Sequence, residues 1–184
     1  MQERRIGAVM LAVCLGMVVG ACGGGGGSEP SPAPTQVLLS SSKDDLRLYA
    51  GVWKSACTKV LNPGAGSIYR HAIESYRFGT PAGNRISIEF TQQTYSDALC
   101  AGSSASPSPV MYSDEYVYSG QLEVFTTPEV SGVSDKFVLA NGTIAITKYF
   151  AFQQEGRVLR FSAGSVPGGQ QAIFSSLDLL YAKQ

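Results

Sequence analysis

Apolar and polar residues alternate with a period of two along most of the chain after residue 49, a pattern typical of half-buried β-strands. β-Branched and aromatic residues, which favour strands, fill these stretches. No long stretch has the 3.6-residue period of a helix. The pattern predicts an all-β domain in which three apolar strand faces stand out: Ile86, Ile88 and Phe90; Tyr116, Tyr118, Leu122 and Val124; and Ile144, Ile146, Phe150 and Phe152.

Turn-forming sequences divide this domain into about eight predicted strands. One of them, Asn141-Gly142, is a typical hairpin turn because both residues tolerate positive φ. Hairpin connections give an antiparallel meander, and closure into an up-and-down barrel removes its unpaired edges. The interior of such a barrel is either filled by side chains or wide enough for one small ligand. The predicted strands cover residues 49–60, 67–78, 84–95, 115–126, 136–140, 143–154, 157–163 and 177–183.

The first 22 residues have a different pattern. Arg4 and Arg5 precede an apolar run, Ile6–Val19, which is shorter than the roughly 20 residues of a membrane-spanning helix. A basic start, a short apolar core and small residues at the end are the anatomy of a secretory signal. Val19-Gly20-Ala21-Cys22 resembles the lipobox of bacterial lipoprotein precursors. The resemblance implies a signal peptide over residues 1–21 and diacylglycerol and an acyl chain such as palmitate on Cys22. The alternative is an ordinary secreted protein.

A tether is predicted between this cysteine and the domain. Residues 22–37 are rich in Gly, Pro and Ser and cannot bury enough apolar surface to fold. The domain is therefore predicted over residues 38–184. In the sorting logic of such precursors, an aspartate after the lipidated cysteine retains a protein in the inner membrane. Gly23 stands there instead, so we expect the cell outer membrane, with the domain facing the periplasm.

The charge balance limits the classes of partner that we expect the protein to bind. The chain carries 14 basic and 14 acidic residues, without the basic stripe that nucleic acid or anionic lipid requires. We expect no nucleic-acid partner, and membrane attachment through the lipid on Cys22 alone. Partner proteins are not identified by the sequence.

The predicted export of the protein also determines which of the four cysteines we expect to form a disulfide. Cys14 lies in the signal peptide and Cys22 is acylated, which leaves Cys57 and Cys100 in an oxidising compartment. We predict a disulfide between them; two free thiols or a metal pair are the alternatives. A metal site is disfavoured because the chain has one histidine and no C-x-x-C sequence.

Sequence signals for catalysis are absent. His71 is the single histidine and lies in a strand-like stretch, and there is no G-x-S-x-G sequence. The acid pairs Asp44–Asp45 and Asp114–Glu115 have no calcium-loop pattern. We therefore expect no enzyme, no metal and no cofactor.

The start of the domain resembles lipocalins. Gly51-x-Trp53 is similar to the first-strand motif of that family, whose tryptophan plugs the closed end of the barrel. A loose, mostly uncharacterised group of proteobacterial lipoproteins with lipocalin-like domains is more similar still, through Tyr49-x-Gly51-x-Trp53-x-x-x-Cys57, Tyr95-Ser-Asp97-x-x-Cys100, Leu177-Asp178 and Tyr181-x-Lys183. The Thr-Asp-Tyr loop of true lipocalins is missing. The arginine that stacks on the tryptophan in lipocalins is also missing from the end of the chain, where Lys183 is the candidate to replace it. A β-sandwich is the rival architecture.

Two functions remain open. A barrel lined by Tyr116, Tyr118, Phe150 and Phe152 suits a small apolar ligand with polar ends. In the alternative, these rings fill the barrel, and the lipoprotein has a structural or interaction role in which its surface docks to envelope partners.

Overall fold

The computed structural model describes residues 35–61, 69–102, 110–154, 156–175 and 178–184. The predicted signal peptide, Cys22 and the tether up to residue 34 lie outside the described residues. A 3-10 turn at Leu46–Leu48 precedes the second of the strands, which are β1 (Val37–Leu39), β2 (Gly51–Ser55), β3 (Thr58–Leu61), β4 (Tyr69–Phe78), β5 (Arg85–Tyr95), β6 (Val110–Glu123), β7 (Val130–Leu139), β8 (Thr147–Gln153), β9 (Val158–Ser162) and β10 (Leu180–Lys183).

Eight of these strands close into an antiparallel barrel. Each strand from β4 to β10 pairs with the next along the chain. The last strand, β10, also pairs with β2, and β2 pairs with β4, so no edge is left in the ring. β3 continues β2 alongside β4 after a one-residue shift in register. The predicted all-β, up-and-down barrel of about eight strands is confirmed.

The barrel interior is packed with aromatic side chains. Trp53, Phe137 and Phe150 have no exposed surface at all, and they belong to a cluster to which every barrel strand contributes. Burial of rings of this size is the main favourable term in the stability of such a small barrel. The members of this interior cluster are Leu46, Tyr49, Trp53, Tyr76, Phe78, Ile86, Ile88, Tyr116, Phe137, Phe150, Phe152, Leu159 and Tyr181.

A second, smaller apolar cluster lies outside the barrel wall. The short strand β1 pairs in parallel with β7, and Leu39 packs with Val124 and Val130 from the wall and with Phe174 from the segment after β9. Close approach of β1 requires a glycine at position 132, because a Cβ there would lie 2.0 Å from the carbonyl oxygen of Leu39. The N-terminal strand therefore covers the wall without entering the ring.

Two of the predicted strand faces need correction. The register of β6 shifts between Tyr118 and Gln121, and such a bulge exchanges the two faces of a strand. Leu122 and Val124 consequently join the outer cluster, although Tyr118 precedes them on the predicted inward face. Ile144 and Ile146 are exposed because β8 begins only at Thr147.

Candidate functional site

The four predicted ligand-lining residues do not line an empty space together. Tyr116, Phe150 and Phe152 are at most 1% exposed. The ring of Phe150 lies 5.1–5.4 Å, centroid to centroid, from those of Tyr76 and Phe78 in the interior cluster and of Phe161, which packs against it. Tyr118 is partly buried and donates its hydroxyl to Asp44 at 2.5 Å. A ligand at the three buried rings would have to displace them.

Trp53 lies at the end of the barrel where β2 begins, here called the lower end. Its indole N–H donates to the carbonyl of Tyr49 at 2.7 Å. The Nζ of Lys183 stands 5.3 Å from the Trp53 ring and donates to the carbonyl of Leu48 at 3.1 Å. Lys183 therefore covers the tryptophan with a cation–π contact.

A buried carboxylate also lies at the lower end. Asp135 on β7 has no exposed surface and accepts hydrogen bonds from the Ser42 amide and the Tyr49 hydroxyl, each at 2.6 Å, and from the Tyr118 hydroxyl at 3.3 Å. Burial, only partly offset by these donors, raises the pKa of Asp135 above its ordinary value. The group joins the segment before β2 to the barrel.

The opposite, upper end of the barrel, where β5, β7 and β9 finish, holds a second set of polar groups. Glu74 accepts hydrogen bonds from the Tyr181 hydroxyl at 2.7 Å and the Gln92 amide at 3.0 Å. Lys148 donates to the Tyr112 hydroxyl at 2.8 Å. We call these five residues the upper-end cluster. It places one carboxylate and one ammonium group among tyrosine rings inside the barrel.

Lys148 is the most unusual member of this cluster. It is 8% exposed, and its Nζ lies 3.9, 5.2 and 5.7 Å from the ring centroids of Tyr112, Phe161 and Tyr116. Among the described residues, no carboxylate oxygen lies within the 4.0 Å of an ion pair. Burial lowers the pKa of Lys148 to about 8.

Sequence reasoning missed both buried charges, for different reasons. Lys148 stands between Ile146 and Phe150 on the face that alternation assigns to the interior, so a lysine on an apolar strand face was an available signal. Asp135 lies in residues 130–135, which do not alternate clearly and were not predicted as strand. Their pairing with β6 and β8 is decided by the closure of the sheet.

A groove of about 410 Å³ lies on the outer wall of the barrel, across β2, β4 and β5. Val52 and Ile73 supply its apolar surface. Lys54 is exposed and forms no ion pair with any of the described residues, and Arg77 lies 3.7 Å from Glu89. Ser75, Thr91, Gln93, Tyr95 and Gln184 complete the lining. The groove therefore combines apolar and hydrogen-bonding side chains with one unpaired positive charge.

The other residues named from the sequence form contacts that stabilise the fold. Cys57 and Cys100 form the predicted disulfide, with Cα atoms 5.8 Å apart. His71 is half-buried on β4, opposite Tyr95 in register. Glu115 forms an ion pair with Arg85. In the described part of the chain, no group of three His, Cys, Asp or Glu side chains is arranged to hold a metal ion.

Comparison with protein-family models, with curated proteins and with solved structures gives no match for this chain. Within the residues that the structure describes, no helix is long and apolar enough to cross a membrane.

Proposed function

We propose that this protein is a lipid-anchored interaction module of the bacterial cell envelope. In this proposal the lipid on Cys22 holds it at the outer membrane, on the periplasmic side, and the barrel presents its outer surface to a protein partner. The observation that carries the proposal is the interior, which is filled by mutually contacting rings. A filled barrel has no interior space for a ligand. Its outer surface is therefore the part that can bind a partner.

The filled interior weighs against the competing function, storage of a small apolar ligand. Such ligands occupy cavities of about 300–1,000 Å³ that bury most of their surface. At Tyr116, Phe150 and Phe152 the rings occupy that space themselves. Protein purified from its own host and examined by native mass spectrometry should therefore have the mass of the acylated chain alone. Detection of a retained apolar molecule would instead support the ligand-binding function.

The outer-wall groove is the docking surface that we propose. Its occupant is an extended polypeptide segment of an envelope protein that carries a carboxylate for Lys54 next to an apolar side chain for Val52 and Ile73. Charge complementarity supports this choice, since Lys54 is exposed and has no ion-pair partner within the described part of the chain. Complementary charges set the specificity and rate of such contacts more than their strength.

Site-specific photo-crosslinking in the host tests the docking surface. A photoreactive amino acid at Thr91, in the groove, should trap a discrete partner band. The same amino acid at Ser119, an exposed residue of β6 outside the groove, is the matched control. Lys54→Glu should reduce the Thr91 crosslink. Equal crosslinking from Thr91 and Ser119, or none from Thr91, would contradict docking at the groove.

The anchor is tested separately. Cys22→Ser should release the protein from membranes or leave it as an unprocessed precursor, because serine has no sulfur to which the diacylglycerol can be attached. A single acyl chain binds a membrane only weakly, whereas several together hold a protein stably. Metabolic labelling with palmitate and membrane fractionation measure the result. Continued processing with full membrane retention of Cys22→Ser would rule out lipidation at this position.

A further inference from the structure

We propose that the domain makes a second contact with the membrane, besides the lipid on Cys22, through three exposed apolar side chains: Leu38, Phe125 and Ile173. These residues are here called the apolar row. The contact rests on the lipid anchor of the proposed function, and it fixes the side of the barrel that faces the membrane.

The apolar row lies on the small sheet that covers the barrel wall. Leu38 on β1 is paired with Ser131 on β7. The Val124 amide donates to the carbonyl of Gly132 at 2.9 Å, which continues the β6–β7 ladder and places Phe125 beside Ser131. Two members of the row are therefore separated by a single strand.

The segment after β9 adds the third member. Ala172 forms a parallel bridge with Val124, so Ile173 lies beside Phe125. Successive residues of a strand point to opposite faces. Ala172 and Val124 belong to the outer cluster that packs on the barrel, and the row consequently points away from the barrel. Three strand spacings of about 4.8 Å give the row a length of about 14 Å.

The apolar row is exposed, whereas its neighbours along the chain are buried. Leu38 is 71% exposed, Phe125 45% and Ile173 43%, but Leu39 and Val124 are only 3% and 1% exposed. Single exposed apolar residues are common on protein surfaces, but adjacent ones that form a patch mark a contact with a protein or a membrane.

The place where the tether ends identifies the membrane as the occupant. The predicted tether enters the domain at β1 (Val37–Leu39), the strand that carries Leu38. A chain of the length of residues 23–36 reaches about 50 Å when fully extended and about 20 Å on average when flexible. Linkage over such a distance produces effective concentrations in the mM range, so a contact that is weak by itself becomes occupied.

The charges around the row favour a zwitterionic lipid surface. Residues 36–40, 121–134 and 163–175, which form the small sheet, contain no lysine or arginine. Glu123 is exposed and stands two positions before Phe125, on the same face. Anionic lipids attract basic segments, and this face has none. We therefore expect contact through insertion of the apolar side chains alone.

Contact through the row also orients the outer-wall groove. Four steps between paired strands lead from β4 to β8 in either direction around the ring. The groove is centred on β4, whereas the small sheet packs on Tyr149 and Ala151 of β8. The row and the groove are therefore on opposite sides of the barrel. With the row on the lipid surface, the groove faces away from the membrane, where a protein partner can reach it.

Site-directed spin labelling tests the contact on the full acylated chain, reconstituted in vesicles of phosphatidylcholine and phosphatidylethanolamine. Because Cys57 and Cys100 are bonded to each other, an added cysteine provides the thiol that reacts. A nitroxide on Ser131→Cys, in the middle of the row, should be accessible to oxygen and protected from a water-soluble nickel complex. A nitroxide on Thr91→Cys, in the groove, should remain accessible to the nickel complex.

Phe125→Ser removes the largest side chain of the row. It should lower the ratio of protected to accessible Ser131→Cys label by about tenfold, because about half of a phenylalanine side chain is no longer transferred into lipid. Ile144→Ser is the matched control, since Ile144 is 74% exposed but lies between β7 and β8 at the upper end of the barrel. It should leave the ratio unchanged. An equal effect of the two substitutions would refute the role of the row.

Flotation of the vesicles separates this contact from the anchor. A chain that does not float has no anchor, and the proposed contact is then overturned with it. A chain that floats while the Ser131→Cys label stays accessible to the nickel complex overturns the contact and leaves the anchor intact. Dipolar broadening between the labels of two chains, in detergent as well as in vesicles, would assign the row to a second copy of this chain and would also overturn the proposal.

Discussion

Removal of the Asp135 carboxylate should destabilise the barrel strongly, and the size of the effect follows from its partners. The side chain is fully buried and accepts two hydrogen bonds of 2.6 Å, from Ser42 and Tyr49, and one of 3.3 Å, from Tyr118. Asp135→Ala leaves the buried Ser42 amide without its acceptor and leaves the Tyr49 hydroxyl with only a long contact of 3.4 Å to the carbonyl of Phe150. Each orphaned buried donor costs about 1–3 kcal/mol, so the expected loss is about 3–5 kcal/mol.

Asp135→Asn separates hydrogen bonding from charge. Both 2.6 Å bonds go to the same carboxylate oxygen, Oδ2, and the third goes to Oδ1. An amide can keep its oxygen at the first position and point its NH₂ group at the Tyr118 hydroxyl, which then donates to Asp44. The expected cost is therefore only about 1 kcal/mol.

Trp53 makes the measurement simple, because it is the one tryptophan of the chain and lies in the same part of the barrel. Its fluorescence in guanidinium chloride gives the free energy of unfolding of each variant. A loss below about 1 kcal/mol for Asp135→Ala would refute this account of the buried network. An equal loss in the alanine and asparagine variants would show that the hydrogen-bond geometry is not what matters.

The pH dependence has a defined sign. Burial raises the pKa of Asp135 above its ordinary value of 3.8. A carboxyl whose pKa is raised on folding contributes stability that is fully present below the unfolded pKa and is lost as the pH rises through the folded pKa. The stability of the wild type relative to Asp135→Asn should thus be greatest in acid and decrease toward neutral pH. The opposite trend would mean that the carboxylate is stabilised in its charged form.

Three further predictions concern the frame of the barrel. Replacing Cys57 and Cys100 by serines should cost up to about 4 kcal/mol in the chain-entropy model, and reduction of the wild type in the same denaturation assay should reproduce that loss. Gly132→Ala places a Cβ 2.0 Å from a β1 carbonyl and should cost about 2 kcal/mol or more; faster hydrogen exchange in β1 would locate the damage. Lys183→Met removes the cation–π contact on Trp53, so the tryptophan emission should shift and stability should fall by about 0.5–1 kcal/mol; an unchanged spectrum would count against the contact.

The site was less accessible to sequence reasoning than the fold. Phe150 and Phe152 were correctly placed on an interior face, but whether inward rings surround a cavity or fill it depends on barrel diameter and packing. The outer-wall groove joins residues from β2, β4 and β5 that become neighbours only through strand pairing. The buried Lys148 lies on an apolar face that the sequence reveals, but the absence of an ion-pair partner for it among the described residues depends on the surrounding strands.

The sequence by itself determined the all-β class, the number of barrel strands and most of their bounds, because a two-residue period and turn chemistry are local properties of the chain. It also predicted the Cys57–Cys100 disulfide, which the structure confirms. Only the tertiary structure decided how β10 closes the ring against β2, where the bulge after Tyr118 exchanges the faces of β6, and how β1 covers the outer wall. These features depend on contacts between residues far apart in the chain, whose registers are chosen together when the barrel closes.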